Sequence, residues 1–168
     1  AILQTTHLSI HPPSLELSKV DLHQIIQEVV MKMRGEVESS GHELVIRLLD
    51  RPVYIHGDKY LLVQAFINML KNSIEAMQGK RGRIRLSSQV NSKEQVVIRV
   101  EDNGHGVEWQ NLSRMFDPYF TSKAKGTGLG LSIVHNIISQ HGGDIHAVSW
   151  VGEGTVFELT FPLYKYNN

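Results

Sequence analysis

The sequence contains no cysteine, so a disulfide framework, a thiolate zinc site and a cysteine nucleophile are excluded together. It also lacks net charge: 17 Lys and Arg balance 17 Asp and Glu, and no global field draws the chain to nucleic acid or an anionic membrane. Any phosphate site must therefore be a local arrangement. No apolar run approaches the roughly 20 residues of a membrane-spanning helix. The opening "AILQTTHL" has neither an initiator methionine nor the plan of a signal peptide. Internal repeats and low-complexity tracts are missing as well. At 168 residues, 41% of them hydrophobic, the chain can bury one substantial core and is short for two full domains. The expectation is a soluble, single-domain piece of a longer chain, compatible with a reducing compartment.

What is present is strongly patterned. The residues up to about Ser18 include Pro12-Pro13, hold no sustained period and read as a linker. A helix over about 21–39 follows, with Asp21 as cap, Gln24 three residues on, and Val20 and Ile25 in the staple positions. Ile25, Ile26, Val29, Val30, Met33 and Val37 recur at helical spacing, and Gly41 supplies the stop. "ELVIRLLD" and "VYIHGD" predict two short strands, and a second helix spans about 58–78 between Asp58 and Gly79. Two more strands, "GRIRLSSQV" and "EQVVIRVED", flank the turn "NSKE". From Glu108 to Gly126 the chain is polar and irregular, with a helical turn at "WQNLSRMF". A third helix opens in the glycine run "KGTGLGLS" and is expected to bury Leu129, Ile133, Val134, Ile137 and Ile138 before Gly142-Gly143 ends it. "DIHAVSWV" and "TVFELTFPL" predict a hairpin across "GEG". Three helices interspersed with about six strands imply a two-layer α/β sandwich, every strand lying against one helical layer.

Four constellations could carry chemistry. The glycine run places Gly126, Gly128 and Gly130 at the entry of a helix, where unpaired N–H groups and the positive dipole end suit an anion. It matches neither the dinucleotide fingerprint nor the P-loop, and the alternative is a plain hinge. In "EDNGHGV", Asp102 ends a strand beside Gly104 and Gly106; a buried carboxylate there needs a donor such as the exocyclic amine of a purine. The alternative is an ordinary turn, since Asp-Asn-Gly is turn chemistry by itself. In "QAFINMLKNSIEAM", Asn68 and Asn72 share one helix face with Gln64, Lys71 and Glu75, opposite Leu62, Phe66, Met69, Leu70 and Met77. Their amide oxygens suit Mg²⁺, although a solvated polar face looks the same in sequence. Finally, in "MFDPYFTSK", Phe116 and Phe120 read as pegs onto the core, and Lys123 either meets a terminal phosphate or is simply solvated.

Taken in order, "NMLKNSIEAM", "DNGHGV", "FDPYFTSK", "GTGLGLSIV" and "GEGTVFELTFP" resemble the N, G1, F, G2 and G3 boxes of the catalytic ATP-binding domain of sensor histidine kinases. That superfamily also holds DNA gyrase and MutL. The resemblance covers about residues 20–163, and five boxes in the right order are far more specific than any one. It implies an α/β (α+β) two-layer sandwich: three helices on one face of a mixed, mostly antiparallel sheet, with a mobile ATP lid. Residues 1–19 would be a linker or the tail of an upstream dimerisation helix, 20–165 the catalytic domain and 166–168 a C-terminal tail. By the same resemblance Asp102 accepts from the adenine amino group, Asn72 is the Mg²⁺ ligand and Asn68 shares its pocket. Gly104 and Gly106 form the adenine wall, and Thr155 stands beside the base. Gly126, Thr127, Gly128, Leu129 and Gly130 hold the phosphates, with Lys123 as a lid lysine.

Two departures refine this. Gyrase-like ATPases carry a water-activating glutamate at the position of Asn68, and an amide is no base, so efficient hydrolysis is not expected. Glu75 occupies a place that is often basic in other branches, which shifts phosphate contact toward Lys123. A phosphoacceptor histidine is also missing. His42 precedes an acidic residue, but it follows Gly41 and enters a strand-like run, so it reads as a surface or strand-edge residue; His7 and His11 lack the pattern. The acceptor helix is expected on a separate domain just upstream of Ala1. The implied function is a protein histidine kinase domain that uses ATP and Mg²⁺ and phosphorylates a histidine of its own dimerisation domain, for relay to a response-regulator aspartate. Its expected location is cytoplasmic, without nucleic-acid or direct membrane contact. The alternatives are a serine kinase or slow ATPase of the same superfamily, and a non-catalytic nucleotide-binding or partner-docking module.

Overall fold

The computed structural model describes residues 15–117 and 130–165. A short strand, β1 (Ser18–Asp21), leads directly into helix α1 (Leu22–Ser39). Asp21 is the N-cap: its Oδ1 accepts from the N–H of His23 at 3.0 Å and from that of Val53 at 3.3 Å. Gly41, at φ +86°, turns the chain out of α1 into β2 (Glu43–Arg47). After β3 (Tyr54–Gly57) comes α2 (Lys59–Ala76), capped by Asp58, whose carboxylate accepts from the N–H of Leu61. Strands β4 (Arg83–Val90) and β5 (Gln95–Asp102), the single helical turn α3 (Trp109–Leu112), α4 (Gly130–Gln140), β6 (Asp144–Trp150) and β7 (Gly154–Pro162) complete the order.

Five strands form one sheet in the order β2-β4-β5-β7-β6; β2 and β4 run parallel and every other pair antiparallel. Alternation along β4, β5 and β7 decides which face is covered. Ile84, Leu86, Val96, Ile98, Val100, Phe157, Leu159 and Phe161 lie on the buried face against α1, α2 and α4. The opposite face carries exposed charge, including the Arg99–Glu158 pair at 3.0 Å. Full burial of each such side chain contributes about 1.5–3 kcal/mol, so this single interface drives folding. The start of α2 is also tied to the end of α4. The N–H of Asp58 donates to Nε2 of His141 at 3.0 Å, while Nδ1 of His141 bonds the carbonyl of Ile137 at 2.7 Å.

The expected sandwich is therefore present, with three differences. β1 lies where the sequence suggests a linker, and it pairs antiparallel with β3 in a separate two-stranded ribbon, so not every strand joins the main sheet. That pairing is long-range and leaves no local period. Of the two readings of His42, strand edge holds and surface does not: it directly precedes edge strand β2 but is buried, its Nδ1 accepting the N–H of Gly82 at 3.0 Å. Ile133, expected in the core, is 40% exposed, because α4 turns Val134, Ile137 and Ile138 inward and leaves Ile133 on the margin.

Candidate nucleotide site

The site grows from one register. Asp102 of β5 pairs with Thr155 of β7, and Thr155 pairs with Ser149 of β6. Directly opposed residues in antiparallel strands share a face, with Cβ atoms about 5 Å apart. Three polar side chains thus line up on the helix-covered face of the sheet. One level deeper in each strand the same face is apolar, with Val100, Phe157 and Ala147. Asp102 and Thr155 are nevertheless only 7% and 3% exposed.

Backbone closes in around the carboxylate. Oδ1 of Asp102 accepts the N–H of Gly104 at 2.9 Å. The next N–H, of His105, donates to the carbonyl of Ala76 at the end of α2, at 2.8 Å. A Cβ on Gly104 would lie 2.3 Å from that carbonyl oxygen and 2.9 Å from Oδ1 of Asp102, so no side chain fits. On the other flank the N–H of Gly152 donates to the carbonyl of His105 at 2.7 Å, and the N–H of Val107 to Oγ of Ser149 at 2.7 Å. A Cβ on Gly154 would sit 2.0 Å from the carbonyl oxygen of Asp102. The loop after β5 is thus clamped between the C-terminal end of α2 and the β6–β7 turn. Oδ1 of Asn103 adds a third tie by accepting the N–H of Arg83 at 2.7 Å.

Helix α2 runs over β5, the strand that ends in Asp102, and also packs against α4. It carries Asn72 one turn before Ala76 and Asn68 one turn earlier still, both half-buried. Residues 57–165 match the family model described as histidine kinase-, DNA gyrase B-, and HSP90-like ATPase. The chain belongs to that family. It is 37% identical over 154 residues to sensor histidine kinase ZraS of Escherichia coli K12, covering 92% of this chain and 33% of the relative. The chain thus spans about a third of the length of the ZraS relatives it matches. Its fold superposes on the catalytic domain of histidine kinase ThkA with a TM-score of 0.78 at 29% identity, covering 88% of this chain and 96% of that one. A second ThkA structure, in complex with response regulator protein TrrA, matches 97% of this chain and 46% of that one with a TM-score of 0.78 at 25% identity.

Within this member of the family, the structure brings Asp102, Gly104, Gly106 and Thr155 together and sets Asn68 and Asn72 on the helix above. Gly130 opens α4, half-buried. Lys123, Gly126, Thr127, Gly128 and Leu129, and with them the expected lid, lie outside the described residues. Among the described residues no cluster of three His, Cys, Asp or Glu side chains could hold a metal ion. None of their helices is long and apolar enough to cross a membrane.

Sequence reasoning missed two hydroxyls. Ser73 on α2 is fully buried, and its Oγ has no hydrogen-bond partner among the described residues. Ser149 is the third member of the polar row. The strand alternation of "DIHAVSW" already placed Ser149 on the same face as Ile145 and Ala147, and that was the available signal.

Proposed function

We propose that the chain is an ATP-binding kinase domain that transfers the γ-phosphate of Mg-ATP to a histidine on a separate dimerisation domain, for relay to an aspartate of a response regulator. The observation that carries this reading is the nearly buried carboxylate of Asp102 in a cradle that excludes side chains at Gly104 and Gly154. Oδ1 already accepts the N–H of Gly104, and a purine amino group in a slot bounded by backbone is a further donor of the kind such a carboxylate takes. The relatives named as sensor histidine kinases, and the ThkA complex with a response regulator, support the direction of transfer.

Each residue then has a task. Asp102 accepts from the adenine amino group, Gly104 and Gly106 let the base approach the backbone, and Thr155 lies beside it. Gly126 to Gly130 and Lys123 meet the phosphates. Mg²⁺ fits the chemistry of the donors: the hard amide oxygen of Asn72 would share it with phosphate oxygens and water, with Asn68 one turn earlier in the same pocket. When bound, the ion offsets charge on the phosphates. The domain contributes positioning and no covalent nucleophile, and Asn68 as an amide leaves water unactivated, so hydrolysis is slow. A cytoplasmic setting follows from the need for ATP.

The test is calorimetric titration with ATP and GTP, each with and without Mg²⁺. The expected result is Mg²⁺-dependent ATP binding with GTP rejected by at least tenfold, and loss of that preference in Asp102→Asn. Equal binding of ATP and GTP by the wild-type chain overturns the reading. Transfer is checked by labelling a dimerisation domain with γ-labelled ATP and testing the product for the acid lability of phosphohistidine. Acid-stable label would point to a hydroxyl acceptor and the serine-kinase alternative.

A further inference from the structure

His105 is exposed, yet its N–H, its carbonyl and its ring are all bonded to segments distant in the chain. The N–H donates to the carbonyl of Ala76 at 2.8 Å, the carbonyl accepts the N–H of Gly152 at 2.7 Å, and Nε2 lies 2.7 Å from the carbonyl of Gln78. A carbonyl can only accept, so Nε2 carries a proton and donates it. The last carbonyls of any α-helix lack intrahelical donors. At the end of α2 the N–H groups of Met77 and Gln78 turn back to the carbonyls of Ile74 and Glu75, at 3.1 and 3.2 Å. His105 supplies the donor for Ala76, and its imidazole takes the carbonyl of Gln78 in the turn that follows. Helix α2 is thus capped from outside, by a residue of the loop after β5. The imidazole bond is the part of that cap which a substitution can remove.

The two elements joined here hold different parts of the candidate site. The loop places Gly104 and Gly106 beside Asp102, and α2 carries Asn68 and Asn72, the latter one turn before Ala76. We propose that His105 is a positioning residue that couples the base cradle to the Asn68–Asn72 face of α2, so that one nucleotide engages both at once. This rests on the nucleotide-binding role proposed above. A ligand that spans two elements gains from their being held in register, because the second set of contacts then forms with less ordering cost. A ligand that reaches only the cradle gains nothing from the tie. Loss of one neutral hydrogen bond from the tie corresponds to about fivefold in affinity for the spanning ligand.

The experiment compares adenosine, which offers the cradle only a base and a sugar, with ATP. Each is titrated calorimetrically in Mg²⁺ against the wild type, His105→Ala and His105→Gln. A glutamine amide places an N–H donor at about the reach of Nε2 and can rebuild the bond to Gln78. ATP should bind the wild type more tightly than adenosine does. His105→Ala should cut that advantage about fivefold with adenosine affinity unchanged, and His105→Gln should restore it. A merely structural residue would not divide the two ligands in this way. Losses in equal proportion for adenosine and ATP therefore overturn the proposal, and so does a glutamine variant that behaves as the alanine one. Should His105→Ala fail to fold, His105→Asn, whose shorter side chain falls short of Gln78, should show the same reduced advantage; a wild-type advantage there overturns the proposal too. A wild-type chain that binds neither ligand, or both equally, overturns this proposal together with the nucleotide reading beneath it. An ATP advantage that survives intact in His105→Ala overturns this proposal alone.

Discussion

Helices α1 and α2 are built to the same plan. Each has 18 residues, each begins after an aspartate N-cap whose side chain accepts a backbone N–H, and each is followed by a glycine at φ +86°. They differ in how their buried polar groups are satisfied. On α1, His23 is buried with both ring nitrogens engaged, Nδ1 with the carbonyl of Arg51 at 2.7 Å and Nε2 with Oγ of Ser88 at 2.8 Å. On α2, Ser73 is equally buried, yet its hydroxyl finds no hydrogen bond among the described residues, and Asn68 and Asn72 lie half-buried one turn apart on one face of the helix. Position explains the contrast. α1 packs toward edge strand β2, while α2 covers central strand β5 and reaches the loop after Asp102. Capping and amphipathicity make a helix, and the strand beneath it decides whether the helix carries a site.

Substitutions can break this comparison in order of effect. His23→Ala should destabilise the fold by about 3 kcal/mol in chemical denaturation, through a cavity and an orphaned carbonyl, while leaving the nucleotide affinity of the folded fraction intact. A matched fall in affinity would show that α1 shares in the site. Asn72→Ala should do the reverse. It should remove the Mg²⁺-dependent gain in ATP affinity, tenfold or more, and leave ATP affinity without Mg²⁺ largely unchanged. Equal Mg²⁺ dependence in both proteins would refute its role as ligand. Asp21→Ala and Asp58→Ala should each cost about 1–2 kcal/mol, the two caps being equivalent in kind. Each aspartate also accepts a second, long-range N–H, Asp21 from Val53 at 3.3 Å and Asp58 from Glu16 at 3.0 Å, so the two losses should be alike. The smallest effect has the opposite sign: Ser73→Ala should raise the stability of the nucleotide-free chain by up to about 1 kcal/mol, since it deletes an unsatisfied hydroxyl and improves helix propensity. A lower melting temperature would mean that Ser73 has a structural partner.

Much of this was legible in the sequence because the signals were local. The apolar stripe of α1 matches its buried face at Ile25, Ile26, Val29, Val30, Met33 and Val37, and both caps and both glycine stops stand where composition put them. Asp102 at a strand end beside Gly104 was equally visible, because turn chemistry and close approach of backbone both demand glycine there. The ribbon of β1 with β3, the burial of His42 and the exposure of Ile133 were not. Each depends on a partner distant in the chain. Ile133 shows the limit most clearly: its helical period is sound, but only the docking angle of α4 says which edge of the stripe faces water.

Periodicity, capping and turn residues act over a few positions, so the sequence alone determined the helices, most strands, the family resemblance and the residues around which a site could form. Tertiary structure decided that Asp102, Thr155 and Ser149 share one row and that Ser149 reaches Val107 across 42 positions. Interstrand register and helix docking set those contacts, and neither leaves a trace in local spacing. The hydrogen-bond polarity of the pocket is a property of the assembled sheet, because a hydroxyl takes its donor or acceptor role from the neighbours the fold brings to it.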